Sequence, residues 1–99
     1  MTHWWRSSAS PLFKRMERLT ALPNIGPVLA ENLEKIGITQ PDQLREMGAE
    51  EAFLRIRAQV DSTACLHQLE ALAGAVEGVK KGLLLQERKA ELKAWFKKL

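Results

Sequence analysis

Three groups of residues in this 99-residue chain are of types and spacings that could do chemistry. The first is Asn24-Ile25-Gly26-Pro27-Val28. Asn24 tolerates the left-handed backbone of a tight turn, and Gly26 adopts it freely. Pro27 suits the first position of a helix, where its missing N–H costs nothing. A helix N-terminus presents unpaired amides and the positive end of the helix dipole. The amides of Ile25, Gly26, Val28 and Leu29 therefore form a candidate phosphate- or partner-binding hairpin. Phosphate-binding hairpins commonly carry Gly where Asn24 stands and Lys or Arg where Val28 and Leu29 stand, and here Glu31 and Glu34 follow on the same helix. That favours a structural corner or a protein-docking surface.

The second group is basic: Lys80, Lys81, Arg88, Lys89, Lys93, Lys97 and Lys98. Lys89, Lys93 and Lys97 recur at i, i+4, i+8, which on a helix makes one stripe able to follow a nucleic-acid backbone. The competing reading is a solvated face. The third group is Cys65, His67 and the Glu50-Glu51 pair. Cys65 and His67 are two apart, which on a helix puts them on different faces, and Cys65 reads as a small, buried, unreactive filler beside the apolar Leu66, Leu69 and Leu72. Glu50 and Glu51 read as first-turn acids. No catalytic residues, metal ligands or cofactor-binding residues are assigned, and no cofactor is expected.

These groups need elements to position them. Leu29, Leu33 and Ile36 fall at i, i+4, i+7 and predict a helix over 27–36, with Gly37 as an αL stop and Ile38 packing back on Leu33. Upstream, Ser10-Pro11 opens a helix over about 11–21 with Leu12, Met16 and Leu19 on one face, stopped by Pro23. Thr39, with Asp42 three positions on, opens a third helix ending at Gly48. A fourth runs from Ala49 to about Gln59 and buries Phe53, Ile56 and Val60. Asp61-Ser62-Thr63 starts a fifth, with Leu66, Leu69, Leu72, Ala73 and Val76 as its apolar face and Gly78 as its end. Residues 79–82 form a basic loop. A last helix over about 84–98 presents Leu85, Leu92, Phe96 and Leu99. No segment alternates as a strand does. The fold class is all-α: a small bundle of five to six short helices containing a helix-hairpin-helix-like element. Residues 1–10 read as a flexible N-terminal tail and 11–99 as one domain. Trp4-Trp5 in that tail are either docked on the domain or an anchor for a partner.

Composition narrows the class. Apolar residues make up 45% of the chain, which argues for a globular core. A single cysteine excludes an internal disulfide and fits a reducing cytoplasm. No stretch approaches the roughly 20 apolar residues of a membrane span, so no membrane association is expected. The net charge of +3 is unevenly spread. Residues 19–78 hold four basic and nine acidic side chains, whereas residues 79–99 hold seven basic and two acidic ones. The hairpin thus lies in the acidic part of the chain.

The stretch Leu19-Thr20-Ala21-Leu22-Pro23-Asn24-Ile25-Gly26-Pro27 to Leu33, then Gly37-Ile38, resembles the C-terminal domain of the TfoX/Sxy family of bacterial competence regulators. The likeness continues through Asp42-Gln43-Leu44, Gly48-Ala49, Cys65-Leu66, Leu69 to Val76 and Leu83 to Leu92, covering about residues 19–95. It implies a small helical domain of the bacterial cytoplasm, linked to expression of DNA-uptake genes. Those regulators usually carry a separate domain ahead of this one; residues 1–18 are too short to be it, so a stand-alone version is expected. Lys80-Lys81-Gly82 stands where relatives tend to have an aromatic residue. The expected function is a non-catalytic regulatory interaction domain. Its partner is a protein, with transcription machinery the first candidate. The alternative is a nucleic-acid-binding module that uses the hairpin amides and the C-terminal lysines. Oligomeric state is left open.

Overall fold

The computed structural model describes residues 18–99, and among them there are five α-helices, two 3₁₀ turns and no strand. The helices are α1 (Pro27–Lys35), α2 (Pro41–Met47), α3 (Ala49–Gln59), α4 (Leu66–Glu77) and α5 (Gln86–Lys97). The 3₁₀ turns are Leu19–Ala21 and Lys81–Leu83. The expected tail over 1–10, Trp4-Trp5 and most of the helix expected over 11–21 lie outside the described residues. Where that helix would finish, Arg18 is extended and Leu19–Ala21 closes one 3₁₀ turn, so no α-helix runs on to Ala21.

Helix α4 is the centre of the bundle and packs against α2, α3, α5 and the second 3₁₀ turn. Its sequence explains why. Ala71, Leu72, Ala73, Gly74 and Ala75 are buried in succession, so this helix is enclosed nearly all round rather than on one stripe. Small residues let the neighbouring elements come close. Phe53 of α3 is fully buried beneath it and meets two rings of α5, Trp95 edge-on at 6.1 Å and Phe96 at 5.8 Å. Such ring pairs add to plain area burial. Leu92 completes that contact at 0% exposure.

The stop after α1 forms as the residue types require. The Gly37 amide donates to the Glu34 carbonyl at 3.0 Å and the Ile38 amide to the Leu33 carbonyl at 2.9 Å, with Gly37 at φ +95°. That is a Schellman closure, and its apolar partners Ile38 and Leu33 are both buried. Helix α4 ends the same way: Gly78 is left-handed, and the Val79 amide donates to the Gly74 carbonyl at 2.8 Å.

Three expected boundaries shift. Helix α2 starts at Pro41 behind Gln40, not at Thr39, because Gln43 rather than Asp42 supplies the return bond: its Oε1 accepts the amides of Gln40 at 3.0 Å and Thr39 at 2.7 Å. Helix α4 starts at Leu66, not at 61–63. The Asp61 carboxylate folds onto the Thr63 amide at 2.9 Å and closes a separate turn. Those bonds from Thr63 hold the Asp61 carboxyl below its ordinary range. Helix α5 starts at Gln86, and its inward residues are Leu92, Trp95 and Phe96, with Leu84 buried just ahead of it; Leu85 and Leu99 are exposed.

Leu29, Leu33, Phe53, Ile56, Leu69 and Leu72 fall in a single core with Ile38, Leu44, Leu84 and Leu92, and Ile36, Leu66 and Val76 pack against it. Leu69→Ala removes a side chain with 0% exposure from the middle of α4. It should lower unfolding free energy by roughly 2–5 kcal/mol. An unchanged urea midpoint at unchanged slope would contradict the packing described.

Candidate functional site

The hairpin residues do not share one exposed surface. Ile25 is buried in the core, whereas Gly26, Pro27 and Val28 are exposed, Val28 by 72%. Asn24 sits at φ +70° and is half-buried. Gly26 is the N-cap of α1 in extended backbone at φ −88°, so the left-handed residue of the turn is Asn24. The first-turn amides of α1, at Val28 and Leu29, have no carbonyl within the helix to bond.

The Asn24 side chain turns inward. Its Nδ2 donates to the Val79 carbonyl at 3.0 Å and to the Ala71 carbonyl at 3.3 Å, and its Oδ1 accepts the Lys81 amide at 2.9 Å. One carboxamide thereby joins the hairpin to α4 and to the segment leading into α5. Gly74 makes room for it. A Cβ there would lie 2.5 Å from Asn24 Nδ2 and 2.7 Å from the Val79 carbonyl oxygen. This bolt explains the Asn where phosphate-binding hairpins commonly have Gly. Reading the sequence missed both Asn24's partners and the role of Gly74; the signal available was a glycine inside an otherwise strong helical pattern.

Beside the hairpin runs a shallow groove lined by Thr20, Pro27, Val28, Ala30, Glu31 and Glu34. Neither glutamate has an ion-pair partner among the described residues. The groove is apolar at Pro27, Val28 and Ala30 and carries the carboxylates of Glu31 and Glu34.

The basic set divides. Arg88 is committed internally. Its guanidinium grips Glu50 of α3 with both terminal nitrogens, at 2.9 and 3.2 Å, and its Nε lies 3.5 Å from Glu77 of α4. Its Nη1 also lies 3.4 Å from Glu91 on its own helix. Glu50, read from sequence as a first-turn acid alone, is thus also the anchor of a three-helix junction. Arg88 hydrogen bonding holds its carboxyl below the ordinary 4.5, and the same pair raises Arg88. Lys80, Lys93, Lys97 and Lys98 are exposed, and Lys81 and Lys89 are half-buried. None of the six has an ion-pair partner among the described residues. Lys89, Lys93 and Lys97 share one stripe of α5.

Cys65 is exposed, against the expectation of burial. It is the extended N-cap of α4 rather than a residue of its apolar face, because the helix begins one position later. His67 is also exposed. No group of three or more His, Cys, Asp and Glu side chains able to hold a metal ion occurs among the described residues, and no described helix is long and apolar enough to cross a membrane.

Among the described residues the domain is a five-helix bundle whose hairpin is bolted to the end of its central helix, with an acidic groove and a lysine stripe exposed. The profile of the TfoX C-terminal domain matches residues 15–96, and the chain belongs to that family. Protein Sxy of Escherichia coli K12 is 37% identical over 79 residues, 80% of this chain. The chain spans 37% of that relative's length. Two crystal structures from Listeria monocytogenes are similar. An uncharacterized protein in a triclinic form is 46% identical at a TM-score of 0.77, covering 79% of this chain and 88% of its own. A protein of unknown function in a tetragonal form is 47% identical at 0.75, covering 78% and 93%.

The bolt can be tested from both sides. Asn24→Ala leaves the Lys81 amide and the Val79 carbonyl short of a partner, so it should cost roughly 1–3 kcal/mol of stability. Asn24→Gly should cost less, because glycine keeps the positive φ at no steric penalty. Gly74→Ala should destabilise, although helix propensity alone favours Ala by about 1 kcal/mol. Urea unfolding of the three variants checks the order, and a stabilised Gly74→Ala would remove the bolt.

The Glu50–Arg88 pair carries a pH signature. A carboxyl held below its unfolded value stabilises the fold above that value and loses the contribution as pH falls through the folded one. Between pH 5 and 3, Glu50→Gln should therefore lose less stability than the unmodified chain. Urea midpoints across that interval check it, and parallel curves would show the pair to be without effect.

Proposed function

We propose that this chain is a non-catalytic regulatory domain of the competence-regulator type that works by holding a protein partner. A component of the transcription machinery is the partner its family resemblance favours. The observation that carries this reading is the hairpin's setting. Its exposed side chains, Pro27 and Val28, are apolar, its groove wall is Glu31 and Glu34, and Asn24 is spent on the fold. An exposed branched side chain rimmed by carboxylates gains from contact with another protein and is opposed by a phosphate backbone. Membership of the TfoX C-terminal family and the likeness to Sxy support the non-catalytic part of the reading.

One observation favours a second reading, nucleic-acid binding: the unpaired Lys89, Lys93 and Lys97 stripe of α5, with Lys80, Lys81 and Lys98 nearby in sequence. Under the first reading that stripe sets solubility and steers a partner of opposite charge.

Fluorescence anisotropy with duplex DNA across a salt series separates the two. The first reading predicts no better than the non-specific range, roughly 10⁻⁴–10⁻⁶ M at physiological salt. Replacing Lys89, Lys93 and Lys97 with Gln should flatten whatever salt dependence appears, since each neutralised phosphate contributes a slope of about −0.9. Tight sequence-specific binding by the unmodified chain would put the second reading first.

A further inference from the structure

We propose that residues 80–89 form a docking surface for an acidic, apolar segment of a partner protein. The observation is the run Leu83-Leu84-Leu85 between α4 and α5. Its middle residue belongs to the core, with Leu84 at 4% exposure. The outer two do not. Leu83 is 71% exposed and Leu85 68%, and with Val28 they are the three most exposed large apolar residues among those described.

Backbone bonds seat lysines beside both leucines. The Leu83 amide donates to the Lys80 carbonyl at 2.8 Å and closes the 3₁₀ turn, so Lys80 and Leu83 are neighbours. In the same turn the Leu84 amide donates to the Lys81 carbonyl at 3.3 Å. The Lys89 amide donates to the Leu85 carbonyl at 3.0 Å, which sets Lys89 one helical turn beyond Leu85. Arg88 is the remaining cation of the segment, and it is turned to Glu50 and Glu77. Two exposed leucines thus lie within a turn of three lysines that have no ion-pair partner among the described residues. Scattered single exposures need no explanation, but two in a three-residue run, fixed by an anchored leucine and bordered by cations, form an apolar patch with a charge preference.

That preference names the occupant. A phosphate backbone would take the lysines and leave the leucines in water. An anionic bilayer would use both, but it sets a continuous negative surface against Glu87, the exposed carboxylate two residues beyond Leu85. A protein segment can lay an apolar side chain on the leucines, place carboxylates at Lys80, Lys81 and Lys89, and leave Glu87 to solvent. The groove at Val28, with Glu31 and Glu34, favours the opposite charge. Docking at residues 80–89 is therefore a binding event separate from the one assigned to that groove.

The experiment is an NMR titration of the isotope-labelled full chain. The probe is a synthetic amphipathic peptide with Leu and Phe on one helical face and Asp and Glu on the other. It should shift the amides of residues 80–89 saturably, with a Kd of about 1 mM or tighter. The same peptide with Lys in place of every acid should leave them unmoved. Leu83→Ser with Leu85→Ser should weaken binding about tenfold or more, because two apolar contacts are lost. Lys80→Gln with Lys89→Gln should weaken it and flatten its dependence on salt. All four positions lie outside the buried core, and an unchanged thermal midpoint controls for folding. The proposal is overturned if the acidic peptide gives no saturable shift, or if the shifts centre on residues 27–34 instead. It is overturned equally if the leucine variant binds as tightly as the unmodified chain, which would reduce the contact to charge alone. Leucine-dependent binding to phosphatidylglycerol vesicles, with none to the peptide, would assign the surface to a bilayer.

Discussion

A carboxamide enclosed between two stretches of backbone has to find both an acceptor for its amine and a donor for its oxygen, and Asn24 finds them on segments 47 to 57 residues away. Much of the domain's geometry follows from that match. The hairpin must be tight enough to aim the side chain inward, which places Asn24 itself in left-handed backbone. The central helix must carry no side chain at Gly74, and it must end where the Val79 carbonyl can turn back. Central helix and hairpin are thereby set against each other before any charged residue is considered. The exposed groove at Val28 opens on the helix that this anchored turn feeds.

Charge is organised around the same frame. The acidic residues lie mainly in the first four helices and the lysines towards the end of the chain, yet the strongest ion pair crosses that division. Arg88 reaches out of the basic helix to Glu50 and Glu77. A bidentate pair at about a quarter to a third exposure is stronger than a fully solvated one, because geometry and partial desolvation act together. Its removal from the basic set leaves lysines alone to face solvent. Point charges on flexible stems suit steering and adaptable contacts more than fork-like recognition of one group.

How much was legible follows from how local each determinant is. The Gly37-Ile38 stop and the bounds of Ala49–Gln59 were readable because their causes lie within a few residues. So was most of the core, which obeys helical periodicity. Boundaries failed where a polar side chain had two local options. Asp61 bonds Thr63 and ends a turn instead of capping a helix, and Gln43 takes the role that Asp42 was expected to fill. The misplaced start before Leu66 also misplaced Cys65, since one residue decides between a helix face and a cap. In the last helix the apolar residues fit more than one register, and only packing against Phe53 selects Trp95 over Leu99. Asn24's partners and the crossing from Arg88 to Glu50 were out of reach. Sequence spacing carries no signal for a hydrogen bond 57 residues long or for a pair 38 residues apart.

The separation between Asn24 and Lys81 also has a consequence in time. A ribosome adds roughly 5–20 residues per second. Fifty-seven further residues therefore take on the order of 3–11 s, during which the hairpin exists without the backbone groups that hold it. The first three helices can associate through Phe53 and Leu33 in that interval, but the carboxamide must stay hydrated until the last quarter of the chain has emerged. The nascent domain is thus locked at its beginning only when its end has been made.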